Sequence, residues 1–410
     1  MFKELKYIKI TIAILLLWFV VYQSKSKYKF TQIVLKPTSF VANESISFAV
    51  PSNVVDNNYA LNIRNLTNDG NSYDTVLSLK KTFDYFDNSR PIVEGYTNST
   101  NLFSLSPVNK SGIYLCNNVF PFIVNSKQNS DITVVCPIVN NHFYKESKGE
   151  RIFEIEESEI SLNRPVEIDD WTLGLKPFFS KLESKYKVNY ATDLDLEDYS
   201  FFEKTRVVFL YGRIKFWSPK MMRNIQRYIN SGGKILMASS DIFYAKFCYN
   251  SIDNRLSVLN CKNTSFSKKM ESWKRGKKDS TFLYFNLHSD YGGESINKNG
   301  YKIIELKHPI FKQINTEETL AFEGEQFLGT PIKTVNPIKV YFNTQIKILA
   351  YTECKETYGT PKIGGIIEYN NINGGRIISL GSSDLCLPKS QKKEEIKKLF
   401  SNATEYLLAN

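Results

Sequence analysis

Apolar and polar positions alternate with a period of two over residues 32–125, the pattern of strands with one buried face. In SFVANESISFAV, Ile46, Phe48 and Val50 share one face and Ser45, Ser47 and Ala49 the other. NYALNIRNL repeats it with Tyr59, Leu61 and Ile63, and turn-rich pieces such as PSNVVDNN and TNDGNS separate the runs. SGIYLCNNVFPFIV supplies the last strands, so the spacing predicts an all-β sandwich.

From Asp131 the period changes. DITVVCPIV is continuously apolar, as a strand buried on both faces of a parallel sheet must be. Trp171, Leu175, Phe178, Leu182 and Tyr186 follow at helical spacing, with Gly174 and Pro177 placing the start of the regular helix near Pro177. KVNYATDLDL is extended, and TRVVFLYG is another buried strand. Ser218 then reads as an N-cap and Pro219 as the first helical position of an amphipathic helix reaching Ile229. Gly232 and Gly233 stop that helix, and KILMASSD is a third strand ending in a turn. Strands and helices alternating at these lengths predict a doubly wound, flavodoxin-like α/β domain, whose ligands bind outside the carboxyl ends of the strands. IKILAYTEC and GGIIEYNNINGGRIISLGSSDL read as returning strands, and residues 394–408 as a closing helix. The expected fold class is thus α/β plus all-β. Residues 1–26 form a signal anchor or signal peptide, 27–126 the sandwich and 127–410 the α/β domain.

The terminal assignment rests on Lys3, Lys6 and Lys9 ahead of an apolar run at 10–22, followed by Lys25, Lys27 and Lys29. That run is short for a span of roughly 20 residues, and no Ala-x-Ala site follows it. An uncleaved signal anchor is favoured, with secretion after cleavage as the alternative. Either way the bulk of the chain is expected outside the cytoplasmic membrane. The net charge of +11 points to acidic partners, but the lysines are scattered rather than striped, which argues against nucleic acid. The six cysteines form no CxxC and lack the histidine company of a structural zinc site; Cys248 and Cys261 are the expected disulfide pair, and Cys116 and Cys136 are expected to be buried.

The order of these segments, together with SLNRP at 161–165, CKNTSFSKKMESWKR and GRIKFWS, resembles the large (β) subunit of N,N-dimethylformamidase and its relatives, from about Ile33 onward. The resemblance implies a glutamine-amidotransferase-like α/β domain and carbon–nitrogen hydrolysis at an iron held by two tyrosines and a glutamate. The family motif Gly-His-Asp-Glu-Tyr-Trp-Ser corresponds here to Gly212, Arg213, Ile214, Lys215, Phe216, Trp217 and Ser218. The ring that would carry a ligating oxygen is Phe216, which has none. A second family segment, rich in glycine and tryptophan, corresponds to NNHFYKESKGERIF, where Tyr144 remains. The family glutamate has a counterpart in Glu294 of GGESINKNG. Tyr144 and Glu294 are therefore the candidate metal ligands, with iron as cofactor if the family site persists and none if it does not.

Other chemistry is sparser. The nucleophile position of amidotransferases holds Ser239, and no cysteine sits in a glycine-flanked nucleophile elbow. Ser239 would need one of His142, His288 or His308 as base, and is otherwise a cap or turn residue. The catalytic candidates are thus Ser239 and Glu294. Gly212, Arg213, Lys215 and Trp217 are the candidate ligand-binding residues, with Arg213 and Lys215 as an anion-binding pair. Asp193 and Asp195 are expected to solvate a strand end and cap the next segment rather than act as a glycosidase pair. Two functions remain open: an amide hydrolase with an altered metal site, acting on a small amide, and a non-catalytic envelope protein that binds an anionic ligand or a protein partner in the same crevice.

Overall fold

A computed structural model describes residues 34–35, 38–51, 63–67, 72–73, 84–85, 100–105, 107–116, 118–146, 159–162, 166–240, 242, 245–251, 254–257, 288–295, 300–314, 319–320, 331–335, 346–356 and 361–409. The terminal anchor expected over 1–26 lies outside these residues. Among the described residues no helix is long and apolar enough to cross a membrane.

The alternating N-terminal run forms two sheets. One joins Val34–Leu35, Ile46–Pro51, Thr100–Leu105 and Asp84–Tyr85; the other joins Phe40–Val41, Phe120–Asn125, Gly112–Cys116, Ile63–Asn65 and Ser72–Tyr73. A single apolar cluster draws on both, with Ile46 and Phe48 from the first and Ile63, Tyr114 and Phe122 from the second. Their burial follows the predicted period.

The second half is built on five parallel strands: β1 (Ser130–Cys136), β2 (Val188–Thr192), β3 (Thr205–Tyr211), β4 (Lys234–Ala238) and β5 (Arg376–Ser379). Their spatial order is β2-β1-β3-β4-β5, all neighbours parallel. The continuous apolar runs are explained by burial on both faces. Val207, Phe209 and Tyr211 of β3 enter one core cluster while Val208 and Leu210 enter the other. The first cluster is closed by helices α3 (Lys176–Lys185) and α5 (Glu394–Ala409), the second by α1 (Ile138–Glu146) and α4 (Pro219–Asn230). Beyond β5 the sheet continues through antiparallel strands, beginning with Pro361–Asn370 and including Ile346–Glu356, Pro331–Val335 and His288–Ser295.

Ser218 caps α4, its Oγ accepting from Met221 N at 3.1 Å with Pro219 following, and Gly232 leaves the helix at φ +89°. Two boundaries differ from the sequence reading. The run DITVVCPIV is not one strand, because β1 ends at Cys136 and α1 starts at Ile138. A short helix, α2 (Asp170–Gly174), precedes α3, N-capped by Asp169, whose carboxylate accepts from Thr172 N at 2.7 Å.

The N-terminal sheets dock on β2 and α3. Ser39 N donates to both Asp195 carboxylate oxygens at 3.1 and 3.0 Å, and Ser111 Oγ donates to Asn189 Oδ1 at 2.8 Å. Asp193 and Asp195 are therefore not solvated as expected: both are buried, and their carboxylates satisfy backbone N–H groups that folding removes from water.

Candidate functional site

The strand order reverses between β1 and β3, so the ligand crevice of such a sheet opens over the carboxyl ends of these strands. Three chain segments meet there. Asp193, just past β2, accepts from Val139 N and Asn140 N of α1, each at 2.9 Å, and from Asn140 Nδ2 at 2.8 Å. Burial pushes its carboxyl up to about 6, against the pull of these hydrogen bonds. Asn140 in turn accepts from Phe216 N through Oδ1 at 2.8 Å, tying the loop after β3 to the start of α1.

That loop carries the departed motif. Gly212 adopts φ +71° and donates its N–H to Ala238 O at 3.0 Å, extending the β3–β4 ladder by one rung. The Phe216 ring is fully buried and stacks on Phe143 of α1 at 4.2 Å between centroids, with planes 25° apart. Trp217 is fully buried too, and its indole Nε1 donates to Ile214 O at 2.8 Å. Its predicted place at a ligand face is taken by packing. Arg213 and Lys215 are partly exposed, and the Arg213 guanidinium lies 5.0 Å from the Trp171 ring centroid.

Ser239 and Ser240 follow β4, and Ser382 and Ser383 follow β5; all four are buried. Ser240 Oγ and Ser383 Oγ are 3.1 Å apart, whereas Ser239 Oγ has no hydrogen-bond partner. No histidine is bonded to it. His142 is buried on α1, and His308 instead caps the short 3-10 turn Pro309–Phe311, with Nδ1 accepting from Ile310 N at 3.4 Å. The side chain of His288 lies outside the described residues. Among the described residues no helix starts at Ser239 either, so it is not the cap that its type suggested. The Trp171 indole N–H is a second buried donor without an acceptor. Burial raises the Asp384 carboxyl, while the charges of Lys389 and Arg213 lower it.

Thiol chemistry has no support here. Cys136 and Cys386 are buried and free, and desolvation raises both thiols far above the ordinary range, the reverse of what a nucleophile needs. Cys116 and Cys354 are also buried and free, whereas Cys248 is disulfide-bonded; Cys261, its expected partner, lies outside the described residues.

The donor set also does not fit an iron centre. The backbone of Tyr144 follows Phe143 on α1, close to the loop after β3, and its side chain lies outside the described residues. Glu294 sits on His288–Ser295, five strand positions from β3. The structure does not bring these two segments together. No group of three His, Cys, Asp or Glu side chains among the described residues could hold a metal ion, and Phe216 offers no donor.

Several residues that shape this crest escaped the sequence reading. Trp171, Asn140, Asp169 and Thr172 are brought in from separate segments, with Thr172 Oγ1 2.8 Å from the Tyr211 hydroxyl. One signal was available: Ser-Ser-Asp occurs at 239–241 and again at 382–384, just past two neighbouring parallel strands.

No curated protein matches the sequence. Among solved structures, the mmIFT52 N-terminal domain is similar at a TM-score of 0.36 and 13% identity, over 58% of this chain and 91% of that one. The β-galactosidase from Bacillus circulans sp. alkalophilus is similar at 0.34 and 11%, over 68% and 31%. The exo-β-1,4-mannosidase Op5Man5 from Opitutaceae bacterium strain TAV5 is similar at 0.32 and 10%, over 68% and 36%. The chain spans about a third of either glycosidase, and likenesses this slight carry no argument about fold or function. A family model describing the N,N-dimethylformamidase beta subunit-like C-terminal region matches residues 43–290, more than half of the chain. By that match, and by the motif positions that it contains, the chain belongs to the N,N-dimethylformamidase beta subunit-like family.

Proposed function

We propose that this chain is an exported, membrane-anchored binding protein whose α/β crest takes an anionic ligand in place of the hydrolytic metal site that the resemblance implies. The observation that carries the reading is the pairing of a sealed ligand position with open donors. Phe216 is stacked into the core, and Asn140, which could have faced the crevice, is spent on Asp193 and the Phe216 backbone. Beside them, the Trp171 N–H and the Ser239 hydroxyl are buried without acceptors, and Arg213 lies over Trp171. A buried donor left unpaired costs about 1–3 kcal/mol, a cost that a bound oxyanion would remove. Asp384 opposes this charge, but Lys389 and Arg213 both act on it, leaving the cluster net positive. Export is supported by the lysine-flanked apolar terminus and by the disulfide at Cys248. The β-sandwich and amidotransferase-like assignments are supported by the two N-terminal sheets with their common core and by the β2-β1-β3-β4-β5 order.

The test is titration of the chain, purified without chelators, with inorganic phosphate, glycerol phosphate and glucuronate, alongside its iron content. Saturable anion binding that Arg213→Ala weakens, with no stoichiometric iron, supports the reading. Stoichiometric iron with turnover of small amides would establish the hydrolase instead, the reading that family membership favours.

A further inference from the structure

A second cavity lies at the opposite end of the sheet, where the N-terminal sheets meet the α/β half. It encloses about 360 Å³ beside the amino ends of β1 and β2, so it is distinct from the crest at their carboxyl ends. That volume falls in the range of small-molecule sites, which favour junctions between modules.

Its walls carry an unusual amount of one chemistry. Asn43, Asn109, Gln128 and Asn129 all line it, and none of these carboxamides makes a hydrogen bond within the described residues. Tyr186 adds an aromatic wall, and its hydroxyl likewise has no partner. The floor, by contrast, is fixed. Ser111 Oγ donates to Val124 O at 2.8 Å, and Glu183 accepts from Lys110 Nζ at 2.7 Å, Tyr190 OH at 2.8 Å and Thr67 Oγ1 at 2.9 Å. These bonds bridge the two halves of the molecule, so the cavity is pre-organised rather than a gap between loosely apposed parts.

The geometry points to a site for a neutral saccharide. Each carboxamide offers both a donor and an acceptor, which matches hydroxyl groups that do the same; an anion would call for donors alone. The Glu183 carboxylate on the wall disfavours an anion further, and its charge is already met by Lys110. An aromatic face beside such amides suits the apolar C–H face of a sugar ring.

The experiment uses the full chain in lauryldimethylamine oxide micelles, a detergent without sugar, and titrates it calorimetrically with neutral tetrasaccharides: maltotetraose, cellotetraose and the N-acetylglucosamine tetramer. Saturable binding of at least one, with Kd of about 1 mM or tighter, is expected, weakened about tenfold or more by joint Asn109→Ala and Asn129→Ala substitution. Those side chains are exposed, so the double variant should melt like the parent; Tyr186→Ala provides a second reading. Arg213→Ala should leave saccharide affinity unchanged, which separates this site from the crest. Absence of binding to all three sugars, or binding that the pocket variants do not weaken, overturns the assignment.

Discussion

Asp193 Oδ2 accepts from both the backbone N and the side-chain Nδ2 of Asn140, at 2.9 and 2.8 Å, across 53 residues of chain. Through this contact the end of β2 supplies the N-terminal cap of α1, and Asn140 is held where it can clamp Phe216. The relationship sets the shape of the crest, and it titrates.

Burial raises Asp193 from 3.8 to about 6, so the folded chain binds this proton more tightly than the unfolded chain. Its contribution to stability is greatest below about 4 and falls as pH rises through 6. Asn140→Ala removes a donor that opposes the rise. The variant should lose about 1–3 kcal/mol and show a steeper decline between pH 4 and 7 in urea unfolding. An unchanged pH slope would remove Asp193 from this role.

Phe216→Tyr tests whether the lost oxygen alone explains the lost metal site. The new hydroxyl would enter a stack with Phe143 that is fully buried. Iron content should stay at background, and stability should fall by about 1–3 kcal/mol in the absence of a partner for the hydroxyl. Iron uptake by this variant would show that the remaining ligands were in place.

Ser239→Ala removes a buried hydroxyl that has no partner. The unliganded variant should be as stable as the parent or about 1 kcal/mol more stable, while phosphate affinity at the crest falls. A measurable loss of stability without ligand would mean that the hydroxyl is satisfied.

Glu368 is buried on Pro361–Asn370, and its carboxylate lies 3.6 Å from both His308 Nε2 and Arg376 Nε and accepts from the Tyr406 hydroxyl at 2.7 Å. Burial alone would raise it, but these partners bring it down to about 2. A lowered carboxyl stabilises the fold above its unfolded value of about 4.5, and the effect is lost as pH falls toward 2. Glu368→Gln should cost up to about 3 kcal/mol at neutral pH and flatten the acid limb of a stability–pH curve.

Gly174→Ala should be among the most damaging single changes. A Cβ there would lie 2.0 Å from Cys386 O and 2.6 Å from Leu387 C, both backbone atoms. The expected loss is about 3 kcal/mol or more, read as a lower denaturation midpoint.

The sequence by itself determined the elements whose signals are local. Period-two alternation marked the N-terminal strands, continuous apolar runs marked β1, β3 and β4, and Ser218, Pro219, Gly232 and Gly233 bounded α4. It also showed that position 216 has no ligating oxygen, since that depends only on residue type. What only the tertiary structure decided depends on atoms distant in the chain. Val139 belongs to a helix because Asp193 accepts its N–H, although its apolarity continues that of β1. Asp193 and Asp195 are buried because backbone donors far along the chain surround them, whereas type and spacing alone suggested solvation. The crest itself, where Trp171, Arg213, Ser239 and Asp384 gather, comes from four separate segments. No local pattern encodes that meeting, because it follows from the order in which the parallel strands pack.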